Sequence, residues 1–385
     1  MKEIYFDNNA TTRPLPEVRE AMMDVLDSGF GNPSSGHSAG ERARNQVIIA
    51  RESLADLIGT DPDNVFFTSG ATESNNMVFS SIIKKYHNYA GLLTTKVEHS
   101  SIKKFCESLK NELIPVNYVP IDKKGHVSLS ELENMINSET RLVSIQWVNN
   151  ETGVIQPVRE IGEICKKKGV LFHTDAAQAI GKVSINLNNL SIDFLSISGH
   201  KFHGPQGIGA IFAKAPNLLS SILQGGPQEY GLRPGTENVP GIVGLGKAAK
   251  LRKSRFNEIE HNIGKLRDTF EEMCLTAVSM AEINGDKENR AFNTTNILFR
   301  EIDGQALVAR LDQNGIRCSQ SSACTNQYPE PSYVLREMGL DEDDAYSSVR
   351  FSFSELNSLD EVEWAVKVIA DICRNLRPYN ISHKK

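Results

Sequence analysis

The first two thirds of the chain alternate short apolar runs with longer segments in which apolar and polar residues recur at helical spacing. The apolar runs include NVFFTSG, GLLTTKVEH, RLVSIQWVNN, GVLFHTDAAQ and DFLSISGHK. Between them lie amphipathic segments such as SELENMINS and REIGEICKKKG. Near-continuously apolar strands that alternate with helices favour a mostly parallel sheet covered on both faces. The pattern therefore predicts an α/β fold.

The pattern changes near residue 255. A long charged helix is predicted over RFNEIEHNIGKLRDTFEEMCLTA, and a mixed α+β region follows it. We therefore predict a large domain over residues 14–258 and a smaller domain built from residues 1–13 and 259–385. The smaller domain carries a loop at about residues 318–330 that is rich in serine, proline and small polar residues.

Composition narrows the class of protein. With 39% hydrophobic and 23% charged residues, the chain is typical of a soluble globular protein. The formal net charge of −6 argues against direct binding to nucleic acid or to a membrane surface. No apolar run approaches the roughly 18–20 residues of a membrane span, and MKEIYFDNNA lacks a secretory signal, so we expect a cytoplasmic protein. The six cysteines are scattered without a CxxC pair, so neither a disulfide scaffold nor a metal site is predicted.

Polar residues follow five of the apolar runs, where strands of the predicted sheet end. In open α/β sheets ligands bind outside the carboxyl ends of the strands. These residues are therefore expected to converge on one crevice: Thr72, His99, Asn149, Asn150, Asp175, Gln178, Ser198, His200 and Lys201.

Two segments suggest a site for a phosphate group. TSGATESNN joins a strand to a helix through Gly70, and the free N–H groups of a helix start bind anions. An ordinary helix cap at Thr72 or Ser69 explains the same residues. GLRPGTEN offers Arg233 and Thr236 as further phosphate ligands.

Lys201 ends an apolar strand between two histidines. A lysine whose pKa is lowered by burial or by a nearby cation forms a Schiff base with an aldehyde cofactor, although a surface lysine in a loop is the alternative. Asp175, at another strand end, is suited to hold a pyridinium nitrogen protonated, or it caps a helix. His99 either stacks on a cofactor ring and moves protons or is structural. Asn150 and Gln178 bond a ring hydroxyl or the substrate, or bond backbone.

An ordered set of motifs covers residues from about 4 to about 354. They are YFDNNATT, GNPSS, SGATESNN, EH, VNNETGVIQP, FHTDAAQ, SGHKFHGPQGIGA, RPGTEN, SSACT, EPSYVL and SSVRFS. In this order they resemble the cysteine desulfurases of the NifS/IscS type, within the class V aminotransferase family.

The resemblance implies a fold-type I pyridoxal-phosphate transferase. Such a protein has a large domain with a mostly parallel seven-stranded sheet, a smaller α+β domain, and a homodimeric assembly. It implies pyridoxal 5′-phosphate as the cofactor, held covalently by Lys201. Asp175 would contact the pyridine nitrogen, His99 would stack on the ring, and Gln178 would bond the 3′-oxygen.

The resemblance also implies the remaining ligands. The cofactor would contact Ala71, and its phosphate would be held by Thr72, Ser198 and His200, with Thr236 reaching over from the other subunit. Asn150 and Arg350 would bind the substrate carboxylate. A planar guanidinium suits this role because it can donate two parallel hydrogen bonds to a carboxylate.

Cys324 determines the reaction that the resemblance implies, although an inert surface cysteine is the ordinary interpretation of such a residue. After Lys201 or a neighbour removes the α-proton of L-cysteine, the Cys324 thiolate attacks the substrate sulfur. The products are L-alanine and a Cys324 persulfide that passes to an acceptor protein. Cys318 either relays sulfur or is a buried thiol at a strand end.

The sequence departs from the family at Gln320–Ser322, where a glycine is usual before SACT, and after residue 354, where the tail is short for engaging an iron–sulfur scaffold protein. The short tail argues against a general role in iron–sulfur assembly and favours a specialised sulfur donor, for tRNA thiolation or DNA phosphorothioation. All three acceptors stay open. An aminotransferase, a selenocysteine lyase and a non-catalytic homologue that binds sulfur carriers are the rival functions. SSACT argues against the first, and the presence of Lys201 and Asp175 argues against the last.

Overall fold

The computed structural model describes residues 3–112, 114–320 and 331–380. In these ranges the strands are β1 (Ile4–Tyr5), β2 (Val65–Thr68), β3 (Gly91–Thr94), β4 (Val116–Tyr118), β5 (Thr140–Ser144), β6 (Leu171–Asp175), β7 (Phe194–Ser198), β8 (Gly209–Ala213), β9 (Ala281–Ile283), β10 (Thr294–Phe299), β11 (Ile316–Arg317) and β12 (Ser348–Ser352). The α-helices are α1 (Pro16–Asp27), α2 (Ser38–Ile58), α3 (Ala71–Tyr86), α4 (Ser100–Ser108), α5 (Leu129–Met135), α6 (Val158–Lys168), α7 (Val239–Ser254), α8 (Phe256–Ala277), α9 (Gly304–Gln313), α10 (Tyr333–Glu337), α11 (Glu342–Tyr346) and α12 (Leu359–Asn380).

Seven strands form the main sheet, in the order β2-β8-β7-β6-β5-β3-β4. Strand β8 runs antiparallel to both of its neighbours, and the pairs β7–β6, β6–β5, β5–β3 and β3–β4 are parallel. The predicted mostly parallel seven-stranded sheet is therefore confirmed. The five apolar runs of the sequence contain β2, β3, β5, β6 and β7, which explains why they are apolar on both faces.

Helices cover both faces of this sheet. Because successive side chains of a strand point to opposite faces, Leu142 and Val143 of β5 belong to different hydrophobic clusters. The cluster that contains Val143 includes α2 and α7, and the cluster that contains Leu142 includes α3 and α4. Helices α2 and α7 approach closely, since a Cβ on Gly246 would lie 2.6 Å from the Cβ of Ala50. This layering leaves the carboxyl ends of the parallel strands open to a ligand.

A second hydrophobic cluster lies beside the antiparallel sheet β12-β10-β9. It draws on residues 4–6 and 259–376, with α8 and α12 packed on each other. The N-terminal arm joins it, because β1 pairs with β11 in parallel and the ring of Phe6 packs 4.8 Å from that of Phe353. The domain division at residues 14–258 stays a prediction.

Across the described residues, the helices lack the length and apolar character that crossing a bilayer requires.

Candidate active site

A cavity of about 460 Å³ lies at the carboxyl ends of the parallel strands. It is lined by ten of the residues that the sequence or the resemblance nominated: Ala71, Thr72, His99, Asn150, Asp175, Gln178, Ser198, His200, Lys201 and Arg350. The residues come from different strand ends, the start of α3 and strand β12, so only the folded chain assembles them. Within the described part of the chain, no group of three His, Cys, Asp or Glu side chains is arranged to hold a metal ion.

One end of the cavity has the features of an anion site. Helix α3 begins at Ala71, and its cap residue Gly70 has no side-chain hydrogen bond to the first turn. The alternative of an ordinary cap by Thr72 or Ser69 is therefore wrong. The positive end of this 16-residue helix dipole faces the cavity beside Ser198 and His200. Burial, helped by the charge of Lys201, lowers the pKa of His200 to about 4.

Asp175 ends β6 as a buried carboxylate. Its Oδ2 accepts a hydrogen bond of 2.8 Å from the Asn75 amide, and its Oδ1 accepts one of 2.9 Å from the Ala177 N–H. These neutral donors hold the carboxylate against the cavity wall without neutralising its charge. Sequence reasoning missed the role of Asn75. The available signal was its position in SGATESNN, just before the apolar residues Met77 and Val78, with which it is buried.

His99 both caps α4 and lines the cavity. Its Nδ1 accepts a hydrogen bond of 3.2 Å from the Ser101 backbone N–H. A backbone N–H is always a donor, so Nδ1 carries no proton in the neutral ring and Nε2 carries it. The structural interpretation of His99 is therefore confirmed, and the cap fixes the tautomer of a residue that lines the cavity. Its role against a cofactor ring stays a prediction.

The Lys201 amine donates to two backbone carbonyls of the N-terminal arm, 2.7 Å to Asn9 O and 3.0 Å to Ala10 O. The Asn9 carbonyl also accepts a hydrogen bond of 2.8 Å from the Gln178 amide. The arm therefore forms one wall of the site, and Asn9 is a further residue that sequence reasoning left without a role. Its motif YFDNNATT was visible, but the partners of Asn9 lie more than 140 residues away.

Arg350 projects from β12 and is 2% exposed. Its guanidinium donates to Asn150 O at 3.0 Å and to Asp7 Oδ1 at 2.6 Å. The Nε of Arg350 and the Oδ1 of Asn150 are buried and have no hydrogen-bond partner among the described residues. Such groups call for a ligand, because burying a polar group without a partner is costly. A carboxylate suits the first of these atoms and an N–H donor suits the second.

Several nominated residues do not line this cavity. Asn149 was expected to line it, but it is buried and its Oδ1 accepts hydrogen bonds of 2.9 Å from the backbone N–H groups of Glu151 and Thr152. Cys324 lies outside the described residues. Thr236 is exposed, and the neighbouring Arg233 and Gly235 line a smaller recess behind Ser69, so the expectation that Thr236 reaches another subunit stays a prediction. Cys318 follows β11 and is half-buried, and burial together with the charge of Asp7 raises the pKa of its thiol.

The segment that contains Cys324 is anchored beside the cavity at both of its described ends. On one side, Ser319 and Arg350 exchange backbone hydrogen bonds. On the other, the Ser332 hydroxyl donates to the buried Glu151 carboxylate, and the Tyr333 hydroxyl donates to Glu98 O at 2.7 Å. Glu98 and Glu151 are the chain neighbours of His99 and Asn150.

The model of the aminotransferase class-V family matches residues 4–364. The chain belongs to this family. Among class-V proteins it is 41% identical over 377 residues to the cysteine desulfurase of Trichormus azollae, covering 98% of this chain and 94% of that one. The predicted resemblance to cysteine desulfurases is therefore confirmed.

Solved structures of class-V relatives agree with the fold. A structure described as a NifS-like protein has a TM-score of 0.92 at 36% identity and covers 97% of this chain and 100% of that one. A structure described as SspA in complex with cysteine has a TM-score of 0.82 at 34% identity, with coverage of 93% and 100%. The fold-type I α/β architecture is confirmed.

Proposed function

We propose that this chain is a cysteine desulfurase that uses pyridoxal 5′-phosphate to convert L-cysteine into L-alanine and a persulfide on Cys324. One observation carries the proposal. An amine, a buried carboxylate and a buried guanidinium, those of Lys201, Asp175 and Arg350, share one cavity in a chain whose relatives at 41% identity are cysteine desulfurases.

The residues of the cavity fit this cofactor. Lys201 would hold its aldehyde carbon, and Asp175 would contact the pyridine nitrogen. His99 would cover the ring, and Gln178 would bond the ring oxygen. The start of α3, at Ala71 and Thr72, would bind the phosphate together with Ser198, His200 and Thr236 of the partner subunit. When bound, the cofactor supplies an electron-withdrawing ring that makes the α-proton of an amino acid acidic.

The substrate carboxylate binds Arg350 and Asn150. Asp7 and the Asn150 carbonyl each hold one Nη of the guanidinium, which fixes its plane before the substrate arrives. Nζ of Lys201 takes the α-proton once the amine is free. The carbonyls of Asn9 and Ala10 keep this nitrogen inside the cavity by accepting its N–H groups.

Sulfur transfer is the task of Cys324. Its thiolate forms an S–S bond with the substrate sulfur while the substrate C–S bond breaks. The electron pair of the broken bond stays with the three-carbon fragment, which takes one proton at Cβ, regains one at Cα and leaves as L-alanine. The net change is L-cysteine plus one enzyme thiol giving L-alanine plus one enzyme persulfide, so atoms and electrons balance.

The sulfur then passes to an acceptor protein in the cytoplasm, for iron–sulfur assembly, tRNA thiolation or DNA phosphorothioation. The chain acts as a homodimer, and two features support this assembly. Thr236 is exposed on its own subunit. Large apolar side chains are exposed on α1 and α2, in the segment between these helices and in the segment before Thr236: Met23, Leu26, Phe30, Ile48, Ile49, Ile222, Leu223 and Tyr230.

The test compares L-alanine release from L-cysteine, with added pyridoxal phosphate, by wild type, Cys324→Ala and Cys318→Ser, together with mass spectrometry of the Cys324 peptide. We expect alanine and one added sulfur on Cys324 in wild type and in Cys318→Ser, and neither in Cys324→Ala. Equal turnover by Cys324→Ala would point to a selenocysteine-lyase type of reaction. No turnover by any of the three proteins, despite bound cofactor, would point to a non-catalytic homologue.

A further inference from the structure

Lys182 is a buried lysine beside the cavity that the proposed reaction does not use. It is 7% exposed and follows the turn after Asp175. Its Nζ donates to the side-chain oxygen of Asn9 at 2.9 Å and to Oε1 of Gln178 at 2.5 Å. A lysine is seldom buried without a reason, because removing an ammonium group from water is costly.

The surroundings favour the neutral amine of Lys182. Burial is the main cause that lowers its pKa well below the ordinary value, and the charges of Lys201, Arg252 and Arg350 act in the same direction. Within the described residues, both acceptors of Nζ are amide oxygens rather than carboxylates. A neutral amine has two N–H groups, and each has its acceptor here.

The contact with Lys182 determines the orientation of the Gln178 amide, that is, which sides its oxygen and its nitrogen occupy. Lys182 requires the amide oxygen of Gln178, because its second N–H would otherwise have no acceptor among the described residues. The Asn9 carbonyl is an acceptor, so it requires the amide nitrogen, at 2.8 Å. Both partners demand the same orientation, and one N–H of Nε2 remains for a third partner. Since Gln178 lines the cavity, that N–H is the group it offers to a ligand.

We propose that Lys182 is a positioning residue that holds the carbonyl oxygen of Gln178 and thereby makes Gln178 a hydrogen-bond donor to the ring oxygen of the cofactor. The inference rests on the proposed function, because it takes pyridoxal phosphate as the ligand. A donor at this oxygen stabilises its anionic form. Without Lys182 the Gln178 oxygen is left buried without its donor, and only Asn9 restrains the amide.

The experiment is a pH titration of the visible absorption band of the full-length protein saturated with pyridoxal phosphate. The variants are Lys182→Met, Gln178→Leu and the double variant, and Lys168→Met removes an exposed lysine as the control. Loss of the donor disfavours the anionic ring, so we expect the midpoint to rise in each single cavity variant, by about one pH unit in Gln178→Leu. The control should titrate as wild type does.

The double variant separates positioning from a direct effect of charge. If Lys182 acts through Gln178, Lys182→Met causes no further shift in the Gln178→Leu background. A full additional shift there, or an unchanged midpoint in Lys182→Met alone, would overturn the inference and leave the proposed function intact. Absence of the band from wild type would overturn the proposed function, and the inference with it.

Melting of the apo-proteins checks that each variant folds. Should Lys182→Met not fold, Gln178→Glu provides a second test with Lys182 in place. Its carboxylate satisfies Lys182 but offers no donor to the cavity, so the midpoint should again rise. A midpoint identical to that of wild type would contradict the donor role of Gln178.

Discussion

Arg350 combines deep burial with a pre-set geometry. Asp7, 343 positions away in the chain, holds one Nη, and the Asn150 carbonyl holds the other. The Arg350–Asp7 ion pair contributes little to the free energy of unfolding, because the desolvation of two buried charges offsets much of their attraction. Its main effect is to fix the orientation of the guanidinium. Its value lies in presenting a planar guanidinium to a planar carboxylate.

Replacing Arg350 with lysine should therefore impair substrate binding. A single ammonium group cannot contact Asp7, Asn150 O and a carboxylate with the same geometry. We expect the KM for L-cysteine to rise roughly 10-fold or more, as the loss of a charged hydrogen bond predicts. Steady-state kinetics measures this change. Arg317→Lys, which changes the half-exposed partner of Glu3 and Asp312, is the matched control, and equal effects of the two substitutions would refute the role of Arg350.

At the level of residues, the sequence predicted the reactive side chains better than the residues that hold them in place. Lys201, Asp175 and His99 were recognisable because they end apolar runs, where few polar residues occur. Asn75, Asn9 and Lys182 were not, since each has a side-chain partner that is distant in the chain. These partners are 100 positions away for Asn75, 285 for Asn9 and 173 for Lys182. Amides and lysines are common in loops, so a pattern along the chain does not separate these residues from solvated ones.

The central strands contain polar groups that bind one another across the sheet. His173 of β6 lies between Ser144 of β5, 2.8 Å from Nδ1, and Ser196 of β7, 3.0 Å from Nε2. Burial lowers the pKa of this histidine to about 4, and the nearby charge of Asp175 opposes the shift. The ring is therefore neutral in the folded protein at neutral pH.

Acid should destabilise the protein partly through His173. Between about pH 6.5 and 4 the unfolded chain takes a proton on this residue that the folded chain does not, so stability falls as the pH falls through this window. We expect His173→Gln to reduce the slope of unfolding free energy against pH by as much as about 1.4 kcal/mol per pH unit.

Urea unfolding of the apo-protein at several pH values measures this slope. The exposed His261→Gln is the control. If the slope is the same in His173→Gln and in wild type, His173 does not contribute to the loss of stability at acid pH. Residual acid sensitivity is expected, because burial also lowers the pKa of His203 to about 4.

The elements themselves were largely predictable from the sequence. The apolar runs became β2, β3, β5, β6 and β7, and the charged segment after residue 255 became α8. The reversed direction of β8 had no such signal. Its residues, GAIFA, are all buried, and an apolar run between two neighbours looks the same in either direction.

On the scale of the whole molecule, the described chain leaves apolar surface uncovered on one region. Leu26 and Phe30, in and after α1, are 57% and 67% exposed, and Ile49 of α2 is 61% exposed. The segment that follows α1 approaches α2 there, since a Cβ on Gly29 would lie 2.7 Å from the Gln46 amide of α2. Such a patch favours a second copy of the chain as its cover.

Light scattering should accordingly give twice the 42.6 kDa of one chain. A Leu26→Glu/Phe30→Glu variant should shift towards the single-chain mass and bind pyridoxal phosphate more weakly, because Thr236 would no longer reach a neighbouring cavity. Leu359→Glu, at an exposed leucine of α12, should change neither property. A monomeric wild type with undiminished cofactor affinity would contradict both expectations.

The N-terminal arm gives the molecule an order of assembly during protein synthesis. Residues 4–9 leave the ribosome long before their partners, because β1 pairs with Ile316 and Arg317, and Asp7 and Asn9 bind Arg350 and Asn293. The N-terminal arm must therefore wait, without these partners, until residues 293–350 have been translated. Because Asn9 and Ala10 also hold Lys201, the nascent chain cannot complete its cofactor pocket before that moment. A product that is truncated before Arg350 therefore lacks a complete cofactor pocket.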